Sequence, residues 1–331
     1  MRVVVVGATG NVGTALLRAL DETAEIDSVV GVARRTPPGD EAKFAKVSWH
    51  AADISHDLLD FVSGADAVVH LAWLIQPSRD EPLMRATNVD GTARLLRAVA
   101  DHGVSTLVYA SSVGTYAPAP KSPPQPETWP VTGIRTSTYS RHKAEVEALL
   151  DTFEYEHTDV RLVRMRTSLV FQRAAASEVH RLFLGPLMPW HLPRALRVVP
   201  RMPRLCFQAT HARDIADAYV RALTRDVSGA FNIAAEPPLT SSLIADTVEG
   251  RAIPVPEKVL RAVVAAAYAA RIQPAEAGWL DMATMSPIMD TSRARRLLDW
   301  SESIPSTAAL TEVLDGIGDG AGFPTPALHP R

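Results

Sequence analysis

The chain has 331 residues, 47% of them hydrophobic and 21% charged, with 34 Lys+Arg against 37 Asp+Glu for a formal net charge of -3. That apolar content with so small a net charge excludes an intrinsically disordered chain, and the near-neutral balance leaves no electrostatic footprint for nucleic acid. Cys206 stands alone, which excludes an internal disulfide framework and fits a reducing compartment.

From the N-terminus, Val3–Val6 reads as a buried strand that meets glycine at Gly7, an apolar run too short for a signal-peptide core. Ser28–Ala33, Ala67–Leu71, Thr106–Ala110 and Leu162–Arg166 read as further buried strands, rich in valine and bounded by turn or polar residues. Between them Val12–Leu20, Asp57–Val62, Asp90–His102 and Thr138–Phe153 carry helical spacing of apolar positions. Strand and helix in alternation predict an α/β fold, a doubly wound parallel sheet of the Rossmann type. Beyond it, Arg173–Arg204 has no clean period, His211–Leu223 resumes a helix, Ala230–Ala234 adds a strand, and Glu257–Ile272 and Thr291–Leu298 read as helices. The expected organisation is a dinucleotide-binding domain of residues 1–172 and 205–236, a smaller, mainly helical substrate cap of 173–204 and 237–315, and a flexible tail of 316–331. Val259–Ile272, the longest apolar helix candidate, is interrupted by Arg261 and Arg271 and falls short of the ~20 residues that span a bilayer, so a cytoplasmic protein is expected.

After the first strand comes Gly7-Ala8-Thr9-Gly10-Asn11-Val12-Gly13, opening a helix. Such a turn brings backbone N–H groups close to a pyrophosphate, and the helix N-terminus favours its charge; a tight turn with no ligand is the plainer reading. At the end of the second strand stand Arg34-Arg35, with no acid until Asp40. Arginine there accommodates the 2′-phosphate of NADP, whereas an acid would bind the ribose hydroxyl of NAD; two solvated arginines are the alternative.

Further stretches follow in order: His70-Leu71-Ala72, Asn88-Val89-Asp90-Gly91-Thr92, Ser111-Ser112-Val113-Gly114-Thr115-Tyr116, Tyr139-Ser140-Arg141-His142-Lys143, Asp214-Ile215-Ala216, Phe231-Asn232-Ile233 and Thr291-Ser292-Arg293-Ala294-Arg295. In these motifs the chain resembles the extended short-chain dehydrogenase/reductases, the NAD(P)-dependent epimerase/dehydratase family, to about Ile317. Tyr139 and Lys143, four apart on a helix, share one face, and an adjacent ammonium favours the phenolate of a group that titrates near ~10. The resemblance implies that Tyr139 passes the proton, that Lys143 also holds the nicotinamide ribose, and that Ser112, four residues before Tyr116, orients the substrate oxygen. Ser111 is then a backbone-contact or capping residue and Tyr116 a wall of the site. Residue reading and resemblance together give a candidate cofactor site of Gly7, Thr9, Gly10, Asn11, Val12, Gly13, Arg34, Arg35, Asp53, Ile54, Leu71, Ala72, Asn88, Ala110, Tyr139, Lys143, Arg166 and Leu169. Arg166-Thr167-Ser168-Leu169-Val170-Phe171-Gln172 departs from the relatives' pattern, with Thr167 and Gln172 in place of proline and glycine.

Arg181, Arg194, Arg197, Arg201 and Arg204 fall within Val179–Arg204, a stretch without acids that also holds Phe183 and Trp190. It reads as a lid for an anionic substrate, as a surface touching acidic lipid, or as a solvated cap. Six of the 25 prolines fall in Pro118–Pro130 and five in Pro186–Pro203, the two segments expected to border the substrate. Histidines without metal-ligand spacing imply no metal, and Cys206 reads as a small buried apolar residue. Three functions are weighed: an NADP-dependent oxidoreductase acting on a carbonyl or secondary alcohol, a nucleotide-sugar epimerase or dehydratase, and a non-catalytic NADP(H)-binding sensor. Val113-Gly114 after the active-site hydroxyl and Arg34 speak against the second; the Tyr139–Lys143 pair speaks against the third. The resemblance also implies a homodimer through the helix bearing Tyr139.

Overall fold

The computed structural model describes residues 1–37, 44–75, 79–185 and 197–330. Strand β1 (Arg2–Val6) is buried because its four valines leave neither face polar. Helix α1 (Asn11–Glu22) follows, then β2 (Ser28–Ala33), β3 (Val47–Ala51) and β4 (Ala67–His70). Helices α2 (Glu81–Arg85) and α3 (Gly91–Asp101) are joined through a π-helical turn, Ala86–Asp90. Strand β5 (Thr106–Ser112), the long helix α4 (Thr138–Glu156) and β6 (Arg161–Thr167) complete the first half. The second half contains β7 (Leu169–Phe171), α5 (Ala176–Val179), β8 (Val198–Arg201), β9 (Cys206–Phe207), β10 (Ala209–His211), α6 (Ala212–Thr224) and β11 (Gly229–Ile233). It ends with β12 (Leu239–Thr240), α7 (Ser241–Thr247), β13 (Arg251–Pro254), α8 (Glu257–Ala269), α9 (Gly278–Met285) and α10 (Ser306–Asp319).

Seven strands form one parallel sheet in the order β11-β6-β5-β4-β1-β2-β3. Alternate residues of each strand point to opposite faces. Val3 and Val5 therefore join one core with Leu16, Leu17 and Leu20 of α1 and Ile215 and Tyr219 of α6. Val4 and Val6 join another with Leu95 and Val99 of α3 and Val146 and Leu150 of α4. With helices on both faces this is the doubly wound α/β fold expected. The chain reverses direction across the sheet at β1, which has β2 on one side and β4 on the other, and this opens a crevice at the strands' carboxyl ends. The remaining strands form three two-stranded pairs, β7 with β10, β8 with β13 and β9 with β12, packed among the helices of the C-terminal part.

Several expectations change. Asp57–Val62 is one turn, Asp60–Val62, because the Asp57 carboxylate accepts from the Asp53 N–H at 2.6 Å and holds the preceding residues in a loop. Thr291–Leu298 is helical as expected from Ser292 on, its last five residues, Ala294–Leu298, forming a π-helical turn closed by Asp299 in the left-handed region at φ 52°. The segment from Gly316, expected to be a flexible tail, carries the last turn of α10. It then folds back, with Leu328 fully buried and the Thr325 hydroxyl donating to the Thr9 carbonyl at 2.9 Å. Glu257–Ile272 ends at Ala269, and no helix among the described residues is long and apolar enough to cross a membrane.

Candidate functional site

A cleft of about 360 Å³ opens where β1, β2 and β4 end. Gly7 leaves β1 at φ +91°, and a β-carbon there would lie 2.6 Å from the Ala72 nitrogen, so only glycine lets the two loops meet. Gly13 has the same requirement against the Gly7 carbonyl, at 2.5 Å, and presses α1 onto the turn. Gly10 is the N-cap of α1, and no side chain caps that end. The first-turn N–H groups are thereby left to an anion.

Of the expected cofactor residues, Gly7, Thr9, Gly10, Arg34, Arg35, Asp53, Ile54, Leu71 and Ala72 line this cleft. Arg34 and Arg35 are exposed at its rim, beyond the end of β2. Asp53 is engaged locally: its carboxylate accepts from the Ser55 N–H at 2.9 Å and hydroxyl at 2.6 Å. Those bonds, with His56 and Arg34 nearby, hold its carboxyl below the usual range against the opposing effect of burial. Asn88 acts from behind. Its fully buried amide accepts from the Leu74 N–H at 2.7 Å and donates to the Leu74 carbonyl at 2.9 Å, fixing the loop after β4.

Other expected residues fall outside the cleft. The Asn11 amide donates to the Val170 carbonyl at 2.8 Å, and Val12 and Leu169 pack into apolar clusters. Arg166 faces α4. Its guanidinium donates to Glu147 at 2.9 and 3.0 Å, to the Tyr116 hydroxyl at 3.2 Å and to the Glu127 carbonyl at 2.7 Å. Glu147, 1% exposed, also receives the Ser111 hydroxyl at 2.5 Å and Arg164 at 3.2 Å; despite burial, these donors keep its carboxyl below the usual range. Ser111 is thus bound to a side chain rather than to backbone. Tyr116 is not a wall of the site: it is fully buried, donates to Asn232 Oδ1 at 2.6 Å, and burial pushes its phenol to about 12.

The structure does bring Ser112, Tyr139 and Lys143 together beside the cleft. Ser112 ends β5, its hydroxyl accepts the Gly114 N–H at 3.0 Å, and it lies close enough to Tyr139 to oppose the rise of that phenol. Ser137 caps α4, its hydroxyl accepting from the Ser140 N–H, so Tyr139 and Lys143 lie in the first two turns of that helix. Lys143 is buried, its ammonium donating to the Ala110 carbonyl at 2.6 Å and to the Tyr109 hydroxyl at 3.3 Å. Ala110 therefore enters through its carbonyl. The expected depression of the Tyr139 phenol by Lys143 is not what the geometry gives. The ammonium lies 5.9 Å from the Tyr139 ring centre and only 3.6 Å from that of Trp73. Burial pushes Tyr139 up to about 12, with Ser112 pulling the other way, and burial draws Lys143 well below its ordinary value against the pull of Glu147.

Sequence reasoning missed the aromatic surroundings of Tyr139. Trp73 meets its ring edge-on at 5.8 Å, Trp279 of α9 lies 5.0 Å away, and Phe183 packs edge-on against Trp279 at 4.9 Å. Trp73 follows the His70-Leu71-Ala72 motif and was within reach of a sequence reading; Trp279 is 140 residues from Tyr139 and had no signal. Also missed are Glu178, Pro326 and Ala327, which with Arg181 of the arginine-rich stretch line the cleft from its outer side. Of the arginine-rich stretch, Arg194 and Trp190 lie outside the described residues. Arg181 donates to the Ala327 carbonyl at 2.6 Å and the His329 carbonyl at 3.1 Å, Arg197 pairs with Glu249 at 3.5 Å, and Arg201 and Arg204 are exposed. Cys206 is half-buried rather than buried.

A family model described as the NAD dependent epimerase/dehydratase family matches residues 3–234. The uncharacterized protein Rv2047c of Mycobacterium tuberculosis is 29% identical over 299 residues, 89% of this chain but 27% of that protein, so the chain spans about a quarter of its length. The NAD-dependent glucose-6-phosphate dehydrogenase of Haloferax volcanii is 26% identical over 195 residues, 54% of this chain and 72% of that protein. Among solved structures, the UDP-glucuronic acid 4-epimerase of Bacillus cereus in complex with UDP-glucuronic acid and NAD aligns with a TM-score of 0.70. The alignment covers 96% of this chain and 99% of that one at 18% identity, a likeness of fold.

Proposed function

Because the chain belongs to the NAD dependent epimerase/dehydratase family, we propose that it is a nicotinamide-dependent oxidoreductase that interconverts a carbonyl and a secondary alcohol, with NADP as the preferred cofactor. The observation that carries this reading is the meeting of Ser112, Tyr139 and Lys143 at the carboxyl end of the sheet, beside a glycine-built cleft. The residues present fit a dinucleotide: Gly10 offers an uncapped helix end with no atom nearer than 3.6 Å to a β-carbon built there, and Arg34 and Arg35 line the cleft beyond β2 as cations suited to a 2′-phosphate. A bound nicotinamide supplies or accepts the hydride at the substrate carbon. In the reductive direction Tyr139, held as the neutral phenol, gives its proton to the substrate oxygen while Ser112 orients that oxygen. Lys143 sets the charge felt by the resulting phenolate and reaches the ribose once it turns from Trp73. The likeness to a dehydrogenase over half the chain supports the redox reading.

A second reading, a nucleotide-sugar epimerase, is favoured by the fold likeness to a protein bound to UDP-glucuronic acid and NAD. Absorbance of the reduced nicotinamide separates the two. Stoichiometric oxidation of NADPH by a carbonyl panel supports the oxidoreductase, turnover of UDP-sugars without net oxidation supports the epimerase, and NADP binding without either supports a sensor.

A further inference from the structure

The surface around Tyr139 is mainly aromatic; the indole N–H of Trp73 is buried there without a hydrogen-bond partner among the described residues, and other polar groups nearby are engaged. The Glu276 carboxylate accepts from the Thr138 N–H at 2.8 Å at the start of α4. Asp281 of α9 pairs with Arg261 at 2.8 and 2.9 Å. Arg141 pairs with Glu81 at 2.6 Å, and Arg181 is held by the carbonyls of Ala327 and His329. Trp279 projects between Tyr139 and Phe183, and the helix that bears it is seated closely on α4. A β-carbon on Gly278 would lie 2.6 Å from the Thr136 carbonyl, one on Gly114 would lie 2.8 Å from the Met282 methyl, and the Ser137 hydroxyl meets the Met282 sulfur at 3.2 Å. The placement of Trp279 beside the reacting hydroxyl is thereby fixed by backbone contact. Of the cations among the described residues here, Arg141 and Arg261 are paired with carboxylates.

Resting on the reading of Tyr139 as the proton-transfer residue, we propose that the substrate carries a planar aromatic group next to its reacting carbon, and that Trp279 is the platform on which this group stacks. Offset or edge-to-face packing on such a ring is worth about two- to tenfold in affinity beyond the area it buries. A puckered saturated ring of equal size loses that aromatic part. In the reductive direction the hydride adds to the carbonyl carbon, the C=O π pair moves to oxygen, and the Tyr139 proton goes to that oxygen.

The test compares acetophenone, cyclohexyl methyl ketone and UDP-glucose by calorimetry on the full chain with NADP added. The expected result is at least about fivefold tighter binding of acetophenone than of its saturated counterpart, with UDP-glucose the weakest. Trp279→Leu brings the ratio of the two ketones close to one, whereas Trp279→Phe keeps most of it. A ratio of one in the unaltered protein, a ratio unmoved by Trp279→Leu, or UDP-glucose as the tightest ligand overturns the proposal. NADPH oxidation by acetophenone is followed separately. Trp279-dependent binding without oxidation overturns the oxidoreductase reading and leaves the platform standing, and oxidation without ring preference does the reverse.

Discussion

The cleft at the carboxyl ends of the strands and the side chains packed around Tyr139 share Trp73, which lines the first and meets the Tyr139 ring in the second, yet they are built from different material. The cleft is mainly backbone: two glycines whose β-carbons would collide with neighbouring main chain, an uncapped helix end, and loops fixed by the buried Asn88 amide. Around Tyr139 the material is mainly side chain, with Trp73, Trp279 and Phe183 drawn from three separate segments. A backbone site binds whatever presents a phosphate, and its sequence can drift once the glycines are kept. A side-chain site changes its ligand with each substitution. Under the proposed function the cleft carries the general half of the chemistry and the surroundings of Tyr139 the particular half.

The comparison is sharpened most by Tyr139→Phe. Turnover is expected to fall about 10³-fold with dinucleotide affinity unchanged, read by steady-state rates and fluorescence titration; a variant of equal activity would separate the surroundings of Tyr139 from the chemistry altogether. On the outer side of the cleft, burial raises the Glu178 carboxyl from 4.5 to about 7, against the pull of Arg181. The folded state then holds a proton that the unfolded chain releases. This contribution is fully present below pH 4.5, is lost as pH rises toward about 7, and is level above that; it amounts to about 3 kcal/mol. Urea unfolding between pH 4.5 and 8 should show that slope, and Glu178→Gln should flatten it. Gly7→Ala strains the turn and brings a methyl against Ala72, with an expected loss of about 1–3 kcal/mol in stability and weakened dinucleotide binding. If that variant bound NADP normally, the cleft would not depend on backbone. The smallest effect is Arg34→Asp, expected to lower the NADP-to-NAD ratio of kcat/KM about tenfold, the worth of ~1.4 kcal/mol; an unchanged ratio makes Arg34 a surface charge.

Periodicity and punctuation made much of the sheet domain legible. Val3–Val6 and Thr106–Ala110 have the unbroken aliphatic character of strands buried on both faces, and Gly7, Gly10 and Gly13 mark the turn between strand and helix. Tyr139 and Lys143 share a face by four-residue spacing on a helix, a local property, whereas Ser112, at the end of β5, came from the family resemblance. Where the neighbouring charge and burial compete, local reading failed: Lys143 turned to the Ala110 carbonyl and Trp73, and Tyr139 is raised rather than lowered. The same limit hid Arg166, whose motif pointed to the cofactor and whose guanidinium instead satisfies buried Glu147.

Composition put the excess proline of Pro118–Pro130 and Pro186–Pro203 at the borders of the substrate, and most of the second segment lies outside the described residues. By itself the sequence determined the parallel sheet, the glycine turn and the Tyr139–Lys143 spacing, because each depends on residues close in the chain. Tertiary structure alone decided that Trp279 stands beside Tyr139, that Thr325 reaches the carbonyl of Thr9, and that burial raises rather than lowers the Tyr139 phenol. Those outcomes depend on which distant surfaces exclude water together, and no local pattern encodes that.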